Sequence, residues 1–195
     1  MTIRGDSQEY DLLKKWTETL PFYEEPKFVT TVEIGVREGL GSKVIMLAIK
    51  ERLGGAKIPY KHIGIDPYAN LKYQHYDTST EYTADYTDEM KQQMVKDFED
   101  HPEFTFYHMK DIEFMNEFAE TGFKVYDLVH FDGPHMTKDV LREAVWFADR
   151  SRMGTRFIFD DSPKYNMKDI TSALSYWNFN LHEEGSNRTC LQRIK

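Results

Sequence analysis

One cysteine in 195 residues, Cys190, leaves this chain without an intrachain disulfide and without a thiolate zinc site. No stretch approaches the roughly 20 consecutive apolar residues of a membrane-crossing helix, and the opening MTIRGDSQEY lacks the apolar region of a secretory leader. Basic charge is scarce as well. The 25 Lys and Arg stand against 33 Asp and Glu, a formal charge of −8, and no basic cluster is long enough to follow a nucleic-acid backbone. Internal repeats and low-complexity tracts are missing too. These absences predict a reduced, cytoplasmic, globular protein with no membrane or nucleic-acid partner.

What is present suits one domain over residues 1–195, since 40% hydrophobic and 14% aromatic residues suffice for a core. Residues 1–27 form a leader in which Tyr10, Leu12, Leu13, Trp16 and Leu20 recur at helical spacing before Pro21. Strands are expected at 28–35, 61–68, 103–109, 124–131 and 155–161, with helices at 42–53, 88–100, 113–121, 137–150 and 166–177 between and after them. In the helix at 88–100, Met90, Met94, Val95 and Phe98 share an apolar side, and Val125, Leu128, Val129 and Phe131 read as one buried run. Two last strands, near 178–183 and 188–194, flank the turn Glu184-Gly185-Ser186-Asn187. Alternating strands and helices predict an α/β fold, a doubly wound, seven-stranded, mostly parallel sheet closed by a C-terminal antiparallel hairpin. The polar tract 69–87, with Tyr73, Tyr76, Tyr82 and Tyr86, is too long for an ordinary connection and is read as an insertion serving as a lid or as a contact in a homo-oligomer.

In open sheets of this type ligands bind outside the carboxyl ends of the strands. Those ends carry Glu33 and Gly35, Asp66, Asp111, Asp132, and the pair Asp160-Asp161. Any one acid has a simple use as a helix cap or turn residue, but five strand ends in succession do not. The turn EIGVREGLGS (33–42) spaces its glycines as G-x-x-x-G-x-G, so it matches neither the dinucleotide fingerprint nor a P-loop. Gly39 and Gly41 are expected to serve the turn and the helix packing, and Ser42 to cap the helix. The stretch VYDLVHFDGPH (125–135) places a carboxylate and an imidazole three residues apart at a strand end, whereas His130, inside the strand, reads as a packed residue.

The pattern E-x-G-x-x-x-G-x-S after the first strand, the acid ending the second and the closing hairpin resemble the class I S-adenosylmethionine-dependent methyltransferases over about residues 28–195. DLVHFDGPH followed by FIFDD is similar to the branch of metal-dependent sugar O-methyltransferases of macrolide antibiotics (macrocin and mycinamicin type). The resemblance implies a Rossmann-like fold and S-adenosylmethionine as cofactor. Gly35 would approach its methionine part, Glu33 its ammonium, Asp66 the ribose hydroxyls and Asp111 the adenine amine. It also implies Mg²⁺ on Asp132, Asp160 and Asp161, and His135 as general base toward a small hydroxylated acceptor. Such a cation suits an alcohol, which is a poor nucleophile until its pKa is lowered.

Three alternatives stay open on the residues alone. One is transfer without a metal, in which the aspartates only orient the acceptor. Another is a module that binds S-adenosylmethionine without chemistry, and the third, least favoured, is an NAD-linked oxidoreductase. The chain lacks the large amino-terminal extension of the antibiotic-tailoring enzymes, so their substrates do not carry over.

Overall fold

The computed structural model describes residues 8–23, 26–74, 76–120, 125–133 and 136–195, with backbone alone at residue 70. Pro134 and His135, the second half of the DGPH turn, lie outside the described residues.

The β-branched run after residue 28 forms β1 (Val29–Ile34), buried along its whole length. It is followed by α2 (Leu40–Leu53), which stops where Gly54 adopts a left-handed conformation. Around β1 run β2 (Tyr60–Ile65), β5 (Phe104–Tyr107), β6 (Tyr126–Phe131) and β7 (Ser151–Phe159), all parallel, in the order β5-β2-β1-β6-β7. The hairpin of β8 (Phe179–Glu184) and β9 (Thr189–Arg193) extends the sheet, β9 antiparallel to β7, completing seven strands. The chain leaves β1 toward β2 and β5 on one side and returns to β6 and β7 on the other. Strand order therefore reverses between β1 and β6, where the following loops diverge and open a crevice.

One face carries Val32, Ile34, Val129, Phe131, Phe157 and Phe159 against α4 (Asp111–Glu117), α5 (Thr137–Ala148) and α6 (Met167–Leu174). The other packs Leu128, Ile158 and Cys190 against α1 (Tyr10–Glu18) and α2 through Leu13, Trp16, Ile45 and Ile49. The leader is thus a real helix with its apolar stripe on the sheet. α3 (Asp88–Asp97) joins that side through Met94 and Phe98, but Val95 is 47% exposed and is not part of its apolar face. Val125 is likewise 40% exposed, because it precedes β6 and the buried run starts at Tyr126.

The tract expected as an insertion is ordered as a two-stranded antiparallel sheet, β3 (Ala69–Gln74) with β4 (Glu81–Tyr86), separate from the main sheet. Among the described residues no helix is long and apolar enough to cross a membrane.

Candidate functional site

The strand-end residues are held by continuations of the sheet ladder. The amide of Gly35 bonds Ile65 O at 2.9 Å, that of Asp66 bonds Tyr107 O at 3.2 Å, that of Asp132 bonds Ile34 O at 2.9 Å and that of Asp160 bonds Phe131 O at 3.0 Å. Each side chain is therefore fixed one step beyond its strand, on the crevice. A cavity of about 570 Å³ opens there, and Glu33, Gly35, Asp66, Asp111, Asp132, Asp160 and Asp161 all contribute to its wall. Its size is that of a cofactor or small-ligand site.

Asp66 is 1% exposed and accepts two backbone bonds, from Arg37 N at 2.9 Å and Tyr68 N at 2.7 Å. Burial raises its pKa, and these amides oppose the rise. Gly35 has φ +86°, and a Cβ there would lie 2.1 Å from the carbonyl oxygen of Asp132. The close approach required of this glycine is thus made first by the protein itself.

Beneath the cavity, the strand positions that point toward α2 carry a row of polar residues. Glu33 and His130 face each other across the β1–β6 register and bond through Oε1 and Nδ1 at 2.9 Å. Ser42 reaches from α2 to Glu33 Oε2 at 2.5 Å, and its Oγ lies 2.9 Å from His62 Nε2. Ser42 is therefore not the helix cap; Gly39 occupies that position, with φ 86°. Gly41 serves helix packing as expected, since a Cβ on it would fall 1.9 Å from Glu33 Oε1. Burial outweighs the Ser42 bond and pushes the Glu33 carboxyl up to about 8.

Arg188, fully buried, was not singled out by sequence reasoning. Its Nε lies 2.8 Å from Asp160 Oδ1 and its Nη1 3.2 Å from His130 Nε2, with the guanidinium 5.1 Å from the centre of the Tyr10 ring. Arginine only donates, so His130 Nε2 accepts and the histidine proton sits on Nδ1, toward Glu33. Burial, then Arg188, hold the imidazole down to about 3, which keeps it neutral. His130 is a packed residue, as expected, but with polar partners on both nitrogens. Glu9, at the start of α1, supports Arg188 from outside by accepting from Ser186 N and Asn187 N at 2.8 and 2.9 Å.

Asp132 and Asp160 meet carboxyl to carboxyl. Burial first, then the charge of Asp160, raise the Asp132 pKa well above the usual carboxylate range. Such a pair needs a shared proton or a cation, and two converging carboxylates suit a hard divalent ion. Asp161 behaves differently: its backbone is left-handed, with φ 51°, and its Oδ2 accepts from the Tyr76 hydroxyl at 2.7 Å. Among the described residues, one ligand atom from each of Glu33, His130 and Asp132 falls within 4.8 Å of the others. Glu33 and His130 already satisfy one another; Asp132 with Asp160 is the remaining acidic pair, and the Arg188 guanidinium already lies 2.8 Å from Asp160 Oδ1.

Asp111 opens α4 rather than capping it, since Lys110 holds the cap position. Its Oδ2 lies 3.0 Å from Arg142 Nη2, and burial first, then the nearby Asp111 charge, raise the pKa of the fully buried Glu143 well above the usual carboxylate range. Opposite these acids, Tyr73, Tyr76 and Tyr86 of the β3–β4 segment line the same cavity.

Comparison with known proteins places this geometry. The family described as a methyltransferase domain matches residues 32–162, more than half of the chain, from within β1 to just past the end of β7. No curated protein sequence matches. Among solved structures, an O-methyltransferase from Bacillus cereus in complex with S-adenosylhomocysteine is similar with a TM-score of 0.59 at 8% identity, covering 100% of this chain and 84% of that one. The O-methyltransferase TomG from Streptomyces achromogenes, involved in tomaymycin synthesis and in complex with S-adenosylmethionine, gives 0.59 at 10% identity, with 99% and 82% covered. A ribosomal protein L11 methylase from Lactobacillus delbrueckii gives 0.55 at 12% identity, with 98% and 81% covered. The fold is common to proteins with very different named acceptors, so it carries no acceptor by itself. The chain belongs to the methyltransferase-domain family, and it is a class I S-adenosylmethionine-dependent methyltransferase.

Proposed function

We propose that the chain transfers the methyl group of S-adenosylmethionine to a hydroxyl of a small acceptor held between the tyrosines of the β3–β4 hairpin and the acids ending β6 and β7. The observation that carries this reading is the convergence of all seven described candidate residues on one cavity at the strand-order reversal. Asp66 would accept the ribose hydroxyls, Gly35 and Glu33 would face the methionine part, and Asp111 the adenine edge. The cofactor supplies a methyl on a sulfonium, which leaves by in-line displacement. The protein's part is then mostly positioning.

Asp132 and Asp160, with Asp161, would hold Mg²⁺, whose chemistry there would be to lower the pKa of a bound hydroxyl. His135 would take the hydroxyl proton, since an imidazole is matched to proton transfer near neutral pH. The tyrosine rings would stack on a ring face of the acceptor and keep water out.

Transfer without a metal is the second reading, favoured by the 2.8 Å ion pair of Arg188 with Asp160, a cation already in place. Incubation with methyl-labelled S-adenosylmethionine and a panel of small polyhydroxylated acceptors, first with Mg²⁺ and then with excess EDTA, separates them. Turnover lost in EDTA and restored by Mg²⁺ supports the first reading, and turnover unchanged in EDTA selects the second. Activity that survives both Asp132→Asn and His135→Ala contradicts the assigned roles.

A further inference from the structure

Helix α5 starts five residues after Asp132, yet its own cap residue, Met136, supplies no side-chain acceptor. The acceptor comes from the hairpin instead, 60 residues earlier in the chain. Asp77 Oδ1 takes the Thr137 amide at 2.8 Å, and Asp77 Oδ2 takes the Thr137 hydroxyl at 2.5 Å. The same hydroxyl accepts from Asn166 N at 2.9 Å, so α6 is tied in as well. A carboxylate at this point also faces the positive end of the α5 dipole. The neighbouring residue engages the acidic end of β7, through the 2.7 Å bond from Tyr76 to Asp161 and a 5.0 Å approach of Lys164 Nζ to the Tyr76 ring.

Tyr76 and Asp77 both take left-handed backbone conformations, with φ 52° and 53°. Side chains adopt that region at a cost, so two in succession need contacts elsewhere to hold them. The bonds to Thr137 and Asp161 are those contacts. Asp132 is anchored to Ile34 O at one end of its loop, and Thr137 is anchored to Asp77 at the other.

We propose that Asp77 is a positioning residue of the site, holding the hairpin over the cavity and the start of α5 in place as one coupled unit. This rests on the methyltransferase reading for its purpose, but the coupling stands on the contacts alone. Asp77 is an exposed residue, so its replacement spares the core.

Hydrogen–deuterium exchange of the full chain tests it in four forms: wild type, Asp77→Ala, Asp77→Asn and, as a control on the same hairpin, Asp85→Ala. Loss of a cap is worth up to about a thirtyfold change in local opening. In Asp77→Ala, exchange should rise by up to that factor in residues 69–86 and in the first turn of α5 together. Asp77→Asn, which keeps an oxygen for the Thr137 amide, should recover most of the protection, and Asp85→Ala should match the wild type. Faster exchange in only one of the two segments, in neither, or equally in Asp85→Ala overturns the coupling. Calorimetry with S-adenosylhomocysteine runs beside it. Failure of the wild type to bind that probe contradicts the methyltransferase reading, while exchange of the ligand-free chain still decides the role of Asp77.

Discussion

A Cβ on residue 35 would sit 2.1 Å from the carbonyl oxygen of Asp132, so β1 and β6 end in direct backbone apposition. With φ at +86° as well, Gly35 is doubly required. Gly35→Ala should lower stability by at least about 3 kcal/mol, from backbone strain plus overlap. Urea unfolding measures this, and the variant should also lose affinity for S-adenosylmethionine, because the overlap displaces Asp132.

Asp66 links the turn after β1 to the turn after β2 by accepting from Arg37 N and Tyr68 N. Asp66→Ala leaves two amides without that acceptor and should cost about 2 kcal/mol. Asp66→Asn keeps one oxygen and should cost less, yet lose cofactor affinity almost as fully. A titration that finds both variants binding S-adenosylmethionine like the wild type removes Asp66 from the ribose role.

Removing the guanidinium of Arg188 strands Asp160 in a buried place and frees the accepting nitrogen of His130. Breaking a buried ion pair from one side costs roughly 3–5 kcal/mol, so Arg188→Met should unfold at clearly lower urea. Arg188→Lys keeps the charge but not the two-pronged geometry, and should fall between the two.

His62 is fully buried between Thr31 Oγ1 at 2.7 Å and Ser42 Oγ at 2.9 Å, and burial pulls its pKa down to about 3. Its folded form stays neutral where the unfolded form, near 6.5, takes a proton. The unfolded state therefore binds more protons between those values, and stability is lost as the pH falls through 6.5. Between pH 7 and 5 the group contributes about 2 kcal/mol of that loss. His62→Gln removes the titration, so its stability should fall by that much less over the same interval. Parallel stability curves for the two proteins contradict the assignment.

Strand and helix order was legible because each buried strand is short, apolar and punctuated, and because acids mark where it ends. The hairpin at 69–86 was read as an insertion without its strands, since it is mostly exposed and polar on both sides and shows no clean alternation. Arg188 was hidden for a different reason. It follows a turn whose residues explain themselves locally, and its partners Asp160 and His130 are 28 and 58 residues away. The Glu33–His130 pair did leave a signal, two ionisable residues inside apolar strands at the same register position. Cavity-wall residues were readable from strand ends. Their mutual contacts were not, because those depend on which faces the packed sheet brings together.

The central claim is that this cavity is built for S-adenosylmethionine. Calorimetric titration of the purified chain with S-adenosylmethionine, and separately with NAD, measures it most directly. One-to-one binding of S-adenosylmethionine, abolished in Asp66→Ala and with no heat from NAD, is the result predicted here. Binding of NAD with no response to S-adenosylmethionine would contradict it.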